Sequence, residues 1–204
     1  MHGFDFEPES FWRLLNWQSP LILASASPRR SAILRALGCP FQAIPSNVQE
    51  EPYRNWDGGR QLERNAVQKA FAVKSAHPHR AILAADTIVL LENQVLGKPI
   101  HREEARAMLQ VLSARDHEVW TALCFFPEKS QQAKSARVMT RVTFRAISSA
   151  EMEAYLQTGE PLDKAGAYGI QGIGGLFVQA VQGCYFNVVG LPVSVLWELM
   201  ATRE

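Results

Sequence analysis

From Ala81 to Leu91 the chain is apolar and rich in β-branched residues, interrupted only by Asp86-Thr87. A run of this length reads as a strand buried at the centre of a sheet. It also carries a carboxylate where one is costly unless it is paired, metal-bound or beside a cavity. Asp86 therefore has two readings. It is a structural Asp satisfied by local N–H groups, or it is a metal ligand or a general base for water. Thr87 points to the opposite face of an ideal strand, and a bulge or a strand end would turn both residues to one site.

Other segments fit around this strand. Leu21-Ile22-Leu23-Ala24 reads as a strand over 20–25, and a helix over 29–37 stops at Gly38. Phe41 to Ile44 is a second short strand. Residues 60–76 place Leu62, Ala66, Lys69, Ala70 and Val73 near one helical face, and His77-Pro78 ends the segment. Glu92-Asn93-Gln94 turns into a hairpin return at Val95-Leu96. A helix follows over 101–112, then long strands at 119–126 and 136–144 that pair antiparallel. Ser148 or Ser149 caps a helix over 150–157 with Glu151 in its first turn. A glycine-rich stretch, 166–175, leads into a strand at 177–181, and a helix over 192–200 follows. The mixed order of strands and helices predicts an α/β fold around an extended mixed sheet. Residues 1–19 read as an appendage, a short helix capped by Ser10 that carries Phe11, Trp12, Leu14, Leu15 and Trp17. It is expected to pack on the body or on a partner subunit. Residues 20–204 form the main domain.

Between the first strand and the first helix lies a short cationic turn, Ser25-Ala26-Ser27-Pro28-Arg29-Arg30. Unpaired N–H groups at a helix N-terminus favour anions, and Arg adds planar donors that fork onto phosphate oxygens. Pro28 suits the first helical position, where no N–H is needed. A solvated cationic turn is the plainer alternative. Glu50 and Glu51 sit on a loop and read as a solvated turn, unless Glu50 faces Asp86. Two carboxylates with room for waters suit Mg²⁺ or Mn²⁺. Lys69 lies on an apolar helix face, either snorkelling to solvent or meeting a phosphate or a carboxylate. Lys98, between Gly97 and Pro99, is an ordinary exposed Lys or a phosphate contact. The run Gly169-Ile170-Gln171-Gly172 lacks the strand-before, helix-after setting of a dinucleotide fingerprint. Its glycines let backbone approach a ligand or another strand. Gln171 either reads a base edge or is exposed on the loop. His101 and His117 have no metal-ligand partners at useful spacing and read as structural.

The bulk numbers narrow the classes. With 204 residues, 47% hydrophobic and 20% charged, the chain fits a soluble globular protein. A net charge of +1 with scattered basic residues argues against nucleic-acid binding. No apolar stretch reaches membrane-spanning length, and the acidic, aromatic N-terminus is unlike a secretory signal. Cys39, Cys124 and Cys184 are isolated and read as reduced thiols of a cytoplasmic protein.

Taken together and in order, these pieces resemble the Maf family of nucleoside triphosphate pyrophosphatases over about residues 20–200. The motifs are the turn Ser25 to Arg30, Glu50, Lys69, Ala85-Asp86-Thr87, Gly97-Lys98-Pro99, the run Asp163 to Gly172, and Asn187 to Pro192. The resemblance implies a Maf/Ham1-like α/β fold with two lobes around a cleft, usually as a homodimer. It implies hydrolysis of a nucleoside triphosphate to the monophosphate and pyrophosphate. Carried onto this chain, Ser25, Arg29 and Arg30 hold phosphates, and Lys69 and Lys98 neutralise their charge. Glu50 and Asp86 bind a divalent metal or orient water, with Asp86 as the proton acceptor. Arg29, Thr87 and Gln171 match positions linked to substrate choice. Gly169 to Gly172 looks like the branch acting on dTTP and UTP, rather than the branch that prefers 7-methyl-GTP. A nucleotide-binding regulator of septum formation is the alternative from another class. Two positions depart from the family pattern: Ala84 stands where Gly is frequent, and Gln49 where an Asp is frequent.

Overall fold

A computed structural model describes residues 11–50, 53 and 56–201 of the chain. Ser10 and Glu51 lie outside them. Seven strands build one sheet: β1 (Leu21–Leu23), β2 (Phe41–Ala43), β3 (Ile82–Leu91), β4 (Gln94–Leu96), β5 (Asp116–Phe126), β6 (Lys134–Phe144) and β7 (Val178–Gln182). The order is β2-β1-β3-β5-β6-β7, with β4 paired to β3. Pairing is parallel at β1–β2 and β1–β3, and antiparallel elsewhere. The mixed α/β sheet read from the sequence is thus present, and the predicted central strand lies at its middle.

Alternation along β3 sorts the core into layers. Ile82, Ala84 and Ile88 pack on one face with Leu62, Ala66, Ala70 and Val73 of helix α2 (Arg60–Ala76). Leu83 and Ala85 face the other side. There they meet Ile33 and Leu34 of helix α1 (Pro28–Ala36) together with Leu196 and Met200. The far half of β3 contributes Val89 and Leu91 to a separate cluster. That cluster holds Ala105, Met108, Leu109 and Leu112 of helix α3 (Arg102–Leu112) and Met152, Tyr155 and Leu156 of helix α4 (Ser149–Gln157). Helices α5 (Tyr185–Val189) and α6 (Val193–Ala201) complete the described chain.

The periodic helices match their expected bounds to within a residue or two, because each carries an apolar face. Ser148 is the cap of α4, closing a capping box with Glu151. His101 caps α3 by accepting from Glu104 N at 3.2 Å. The glycine-rich stretch leads into a strand as expected, and the structure adds elements that the sequence reading did not assign. Three short 3-10 helices, Glu160–Asp163, Ala165–Ala167 and Ile173–Phe177, precede β7. Such turns carry no amphipathic period, so they leave no trace in the hydrophobic pattern.

The appendage packs on the body. A 3-10 turn at Arg13–Leu15 follows Trp12, whose buried indole donates to Leu37 O at 2.8 Å. Phe11 and Trp12 stack against Trp197, and Trp17 lies over Phe125. Cys39 and Cys124 are buried free thiols, and burial pushes both up to about 12. Among the described residues no helix is long and apolar enough to cross a membrane.

The ladder along β3 has one gap. β5 occupies one edge of β3 over Ile82–Leu90. On the other edge β1 pairs only with Ile82 and Leu83, and β4 only with Val89 to Leu91. Over residues 84–88 no strand among the described residues pairs this edge. β1 ends there because Ser25 N turns back to Leu23 O, 2.9 Å away, and the chain enters α1 at Pro28.

Candidate active site

A cavity of about 1050 Å³ opens at this gap, at the upper end of the size of small-molecule sites. Ser25, Arg29, Arg30, Glu50, Lys69, Asp86, Thr87, Lys98 and Gln171, the nine residues singled out from the sequence, all line it. β3 carries Asp86 and Thr87 there without a bulge, since its register with β5 runs unbroken through Asp86↔Ala122 and Thr87↔Thr121. Neither a bulge nor an end of β3 turns the two residues to one side. The open edge serves instead, because a cavity that wraps an unpaired strand edge reaches side chains on both faces.

Asp86 is buried, and both of its carboxylate oxygens are hydrogen-bonded. Its Oδ1 accepts from Lys69 Nζ at 2.8 Å. Its Oδ2 accepts from Tyr53 OH at 2.5 Å and from Asn65 Nδ2 at 3.3 Å. Lys69 does not snorkel. Its ammonium turns inward and also pairs with Glu50 Oε1 at 2.8 Å. One cation therefore joins two carboxylates, leaving the trio net negative at the cavity wall. Burial, then the facing Asp86 charge, keeps the Tyr53 phenol protonated by raising its pKa. Asn65 stands one turn before Lys69 on the same helix face, so its place was legible from the spacing. Tyr53 sits in a polar loop with no pattern to mark it.

The cationic turn faces this trio from across the cavity. Ser27 is the N-cap of α1 and makes no side-chain cap bond. Ser25 Oγ instead accepts from Ser27 N at 3.2 Å and from Arg30 at 3.1 Å. Arg30 is buried, and burial lowers its pKa against the opposing pull of Asp86. It also donates to Gly190 O at 2.9 Å and to Thr87 Oγ1 at 3.0 Å. Thr87 in turn contacts Thr121 at 2.9 Å. Arg30 thus brings charge to the wall while its donors tie the turn to β3 and to the end of α5. Arg29 is more exposed and reaches Asp163 Oδ2 at 3.2 Å. Lys164 pairs with the same carboxylate. Lys98 stands exposed on the turn after β4, and Gln171 is exposed on the glycine-rich loop.

The arrangement suits an anionic ligand at the turn and a hard cation at the carboxylates. Mg²⁺ characteristically takes one or two carboxylates and completes its shell with water and ligand phosphate. Glu50 and Asp86 offer that donor set. Asp86 Oδ1 and Glu50 Oε1 are bridged by the Lys69 ammonium, and each keeps a lone pair to spare. The residues present therefore fit the divalent ion that the sequence resemblance implies.

Fold and site together define an α/β protein whose cleft, cationic on one wall and carboxylate-bearing on the other, opens at an interrupted sheet edge. The chain belongs to the Maf family: the family model described as Maf-like protein matches residues 20–203. A protein of Syntrophomonas wolfei named dTTP/UTP pyrophosphatase is 45% identical over 181 residues, covering 89% of this chain and 96% of its own. Relatives with the same name from Moorella thermoacetica and Myxococcus xanthus are 46% and 47% identical. Those alignments cover 90% and 87% of this chain, and 94% and 89% of theirs. Among solved structures, the Staphylococcus aureus Ham1 protein aligns with a TM-score of 0.45 and 14% identity, over 62% of this chain and 72% of that one.

Proposed function

We propose that this protein is a nucleoside triphosphate pyrophosphatase, a hydrolase that cuts dTTP and UTP to the monophosphate and pyrophosphate. The observation that carries this reading is the Glu50–Lys69–Asp86 cluster facing the Ser25–Arg30 turn across one cavity. The names of the relatives support the choice of substrate.

The residues divide the work. The open N-terminus of α1, Arg29 and Lys98 receive the triphosphate, with Arg30 adding charge behind them. Asp86, held by Lys69, Tyr53 and Asn65, accepts a proton from a water. That water attacks the α-phosphorus in line, the bond to the bridging oxygen breaks, and pyrophosphate leaves with the electron pair. Cationic side chains neutralise the charge that builds on the leaving group. A divalent ion, Mg²⁺ or Mn²⁺, held by Glu50 and Asp86 would neutralise further phosphate charge. Gln171, whose amide is both donor and acceptor, contacts the base. The working form is a cytoplasmic homodimer.

The test is a nucleotide panel with Mg²⁺ and Mn²⁺, scored for pyrophosphate release. UTP and dTTP are expected to lead. No release from any nucleotide overturns the reading, and a strong preference for 7-methyl-GTP overturns the substrate. Asp86→Asn is expected to cut kcat by roughly a thousandfold or more with folding intact. A fully active variant removes Asp86 from its role.

A further inference from the structure

The loop carrying Gln171 is held from beneath by two side chains that the proposed chemistry does not use. Glu160 opens the first 3-10 turn after α4 and lines the cavity. Its Oε2 accepts from Ile173 N at 3.0 Å. Its Oε1 accepts from Gly174 N at 3.2 Å and from Tyr155 OH at 2.9 Å. The same Tyr155 hydroxyl accepts from Gly169 N at 3.1 Å. One carboxylate and one phenol thus satisfy backbone N–H groups on both sides of Gln171.

The glycines of the loop fit this brace. A Cβ at Gly172 would collide with the Glu160 carboxylate, and one at Gly174 would lie 2.7 Å from the Tyr155 hydroxyl. Backbone at those positions has to rest directly on the two side chains. Tyr155 is itself fixed, buried in the core with its ring edge-on to Phe177 at 5.1 Å. A bare carboxylate on the wall of a cavity for a polyanion would repel the ligand. Here three donors occupy it, and both of its oxygens are turned to the loop and Tyr155. Lys164 adds a tether by donating to Glu160 O at 2.9 Å.

We propose that Glu160 and Tyr155 are positioning residues that hold the Gly169–Gly175 loop and, through Gln171, set which base the site accepts. The inference rests on the pyrophosphatase reading above. Neither residue touches the reacting atoms, so the effect should fall on discrimination. Losing one or two such hydrogen bonds is worth roughly tenfold in an equilibrium constant.

The experiment compares the wild type with Tyr155→Phe, Glu160→Gln, Gln171→Ala and the Tyr155→Phe/Gln171→Ala pair, by pyrophosphate release from UTP, dTTP, CTP and GTP. Tyr155→Phe keeps the buried ring, and Glu160→Gln keeps the shape of the brace. Both are expected to lower the kcat/KM preference for UTP over GTP by about tenfold, through a higher KM for UTP with kcat on GTP unchanged. The double variant is expected to lose no more than Gln171→Ala alone. Preserved preference in both single variants overturns the proposal, as does full additivity in the double variant. A uniform fall for every nucleotide also overturns it, since that marks a purely structural role. A wild type inactive on all nucleotides overturns the pyrophosphatase reading and the selectivity role with it. An active wild type whose variants keep its preference overturns the brace alone.

Discussion

Arg30 shows how a charged side chain can brace the wall of a site to which it also brings charge. Three of its N–H groups go to Ser25, Thr87 and Gly190, which come from three separate parts of the chain. A lysine has the charge but cannot make three directed bonds from one planar head. Arg30→Lys is expected to cost roughly 2–4 kcal/mol, because buried acceptors lose partners. Urea unfolding of the variant checks this, and an unchanged midpoint would contradict the bracing role. The sequence made Arg30 visible as a cation at a helix start, but not its partners. Gly190 and Thr87 are 160 and 57 positions away. Lys69 is the same lesson from the other wall. Its position on an apolar face was legible. Its inward turn depends on two carboxylates that only the fold brings within reach.

At the scale of elements, legibility followed periodicity. α2 and α3 were readable because their apolar residues recur at helical spacing over three turns or more. β3, β5 and β6 were readable as long apolar or alternating runs. α5 is five residues long and starts with the exposed aromatics Tyr185 and Phe186, so no period can build up. The three 3-10 turns between 160 and 177 were invisible for the same reason, and the last of them starts on N–H groups that donate to Glu160. Helix ends carry their own chemistry. Ser148 accepts from Glu151 N, and Glu151 answers at Ser148 N at 2.8 Å. Ser148→Ala is expected to cost about 1 kcal/mol and to lower Tm by about 2–4 °C, read by thermal melting. Ser149→Ala, inside the helix, should leave Tm nearly unchanged.

For the whole molecule, one buried imidazole ties stability to pH. His117 on β5 is 2% exposed, bonds Tyr168 OH through Nε2 at 2.8 Å, and has no partner for Nδ1 among the described residues. Burial pushes its pKa down to about 4 from 6.5, with Asp116 pulling weakly the other way. Above pH 6.5 both folded and unfolded chains hold the ring neutral, and there is no penalty. As pH falls from 6.5 to 4, the unfolded chain takes up a proton that the folded chain refuses, and stability drops. The full difference is about 3 kcal/mol. Urea unfolding at pH 7 and pH 4.5 should show wild type losing more stability than His117→Gln, with carboxylate effects cancelling in the comparison. Equal losses would contradict the buried-neutral assignment.

The interruption along β3 has a consequence for how such a protein can change over generations. The residues that stop β1 from zipping further along β3 are the ones that furnish the cationic wall: Ser25 turns the chain, and Pro28 begins α1 without an N–H. A mutation that lengthened β1 would cover the vacant edge beside Asp86 and remove the cationic turn in one stroke. Architecture and chemistry are inherited there as a single unit. The loop around Gln171 lines the same cavity from outside the sheet, so it can change without disturbing the strands.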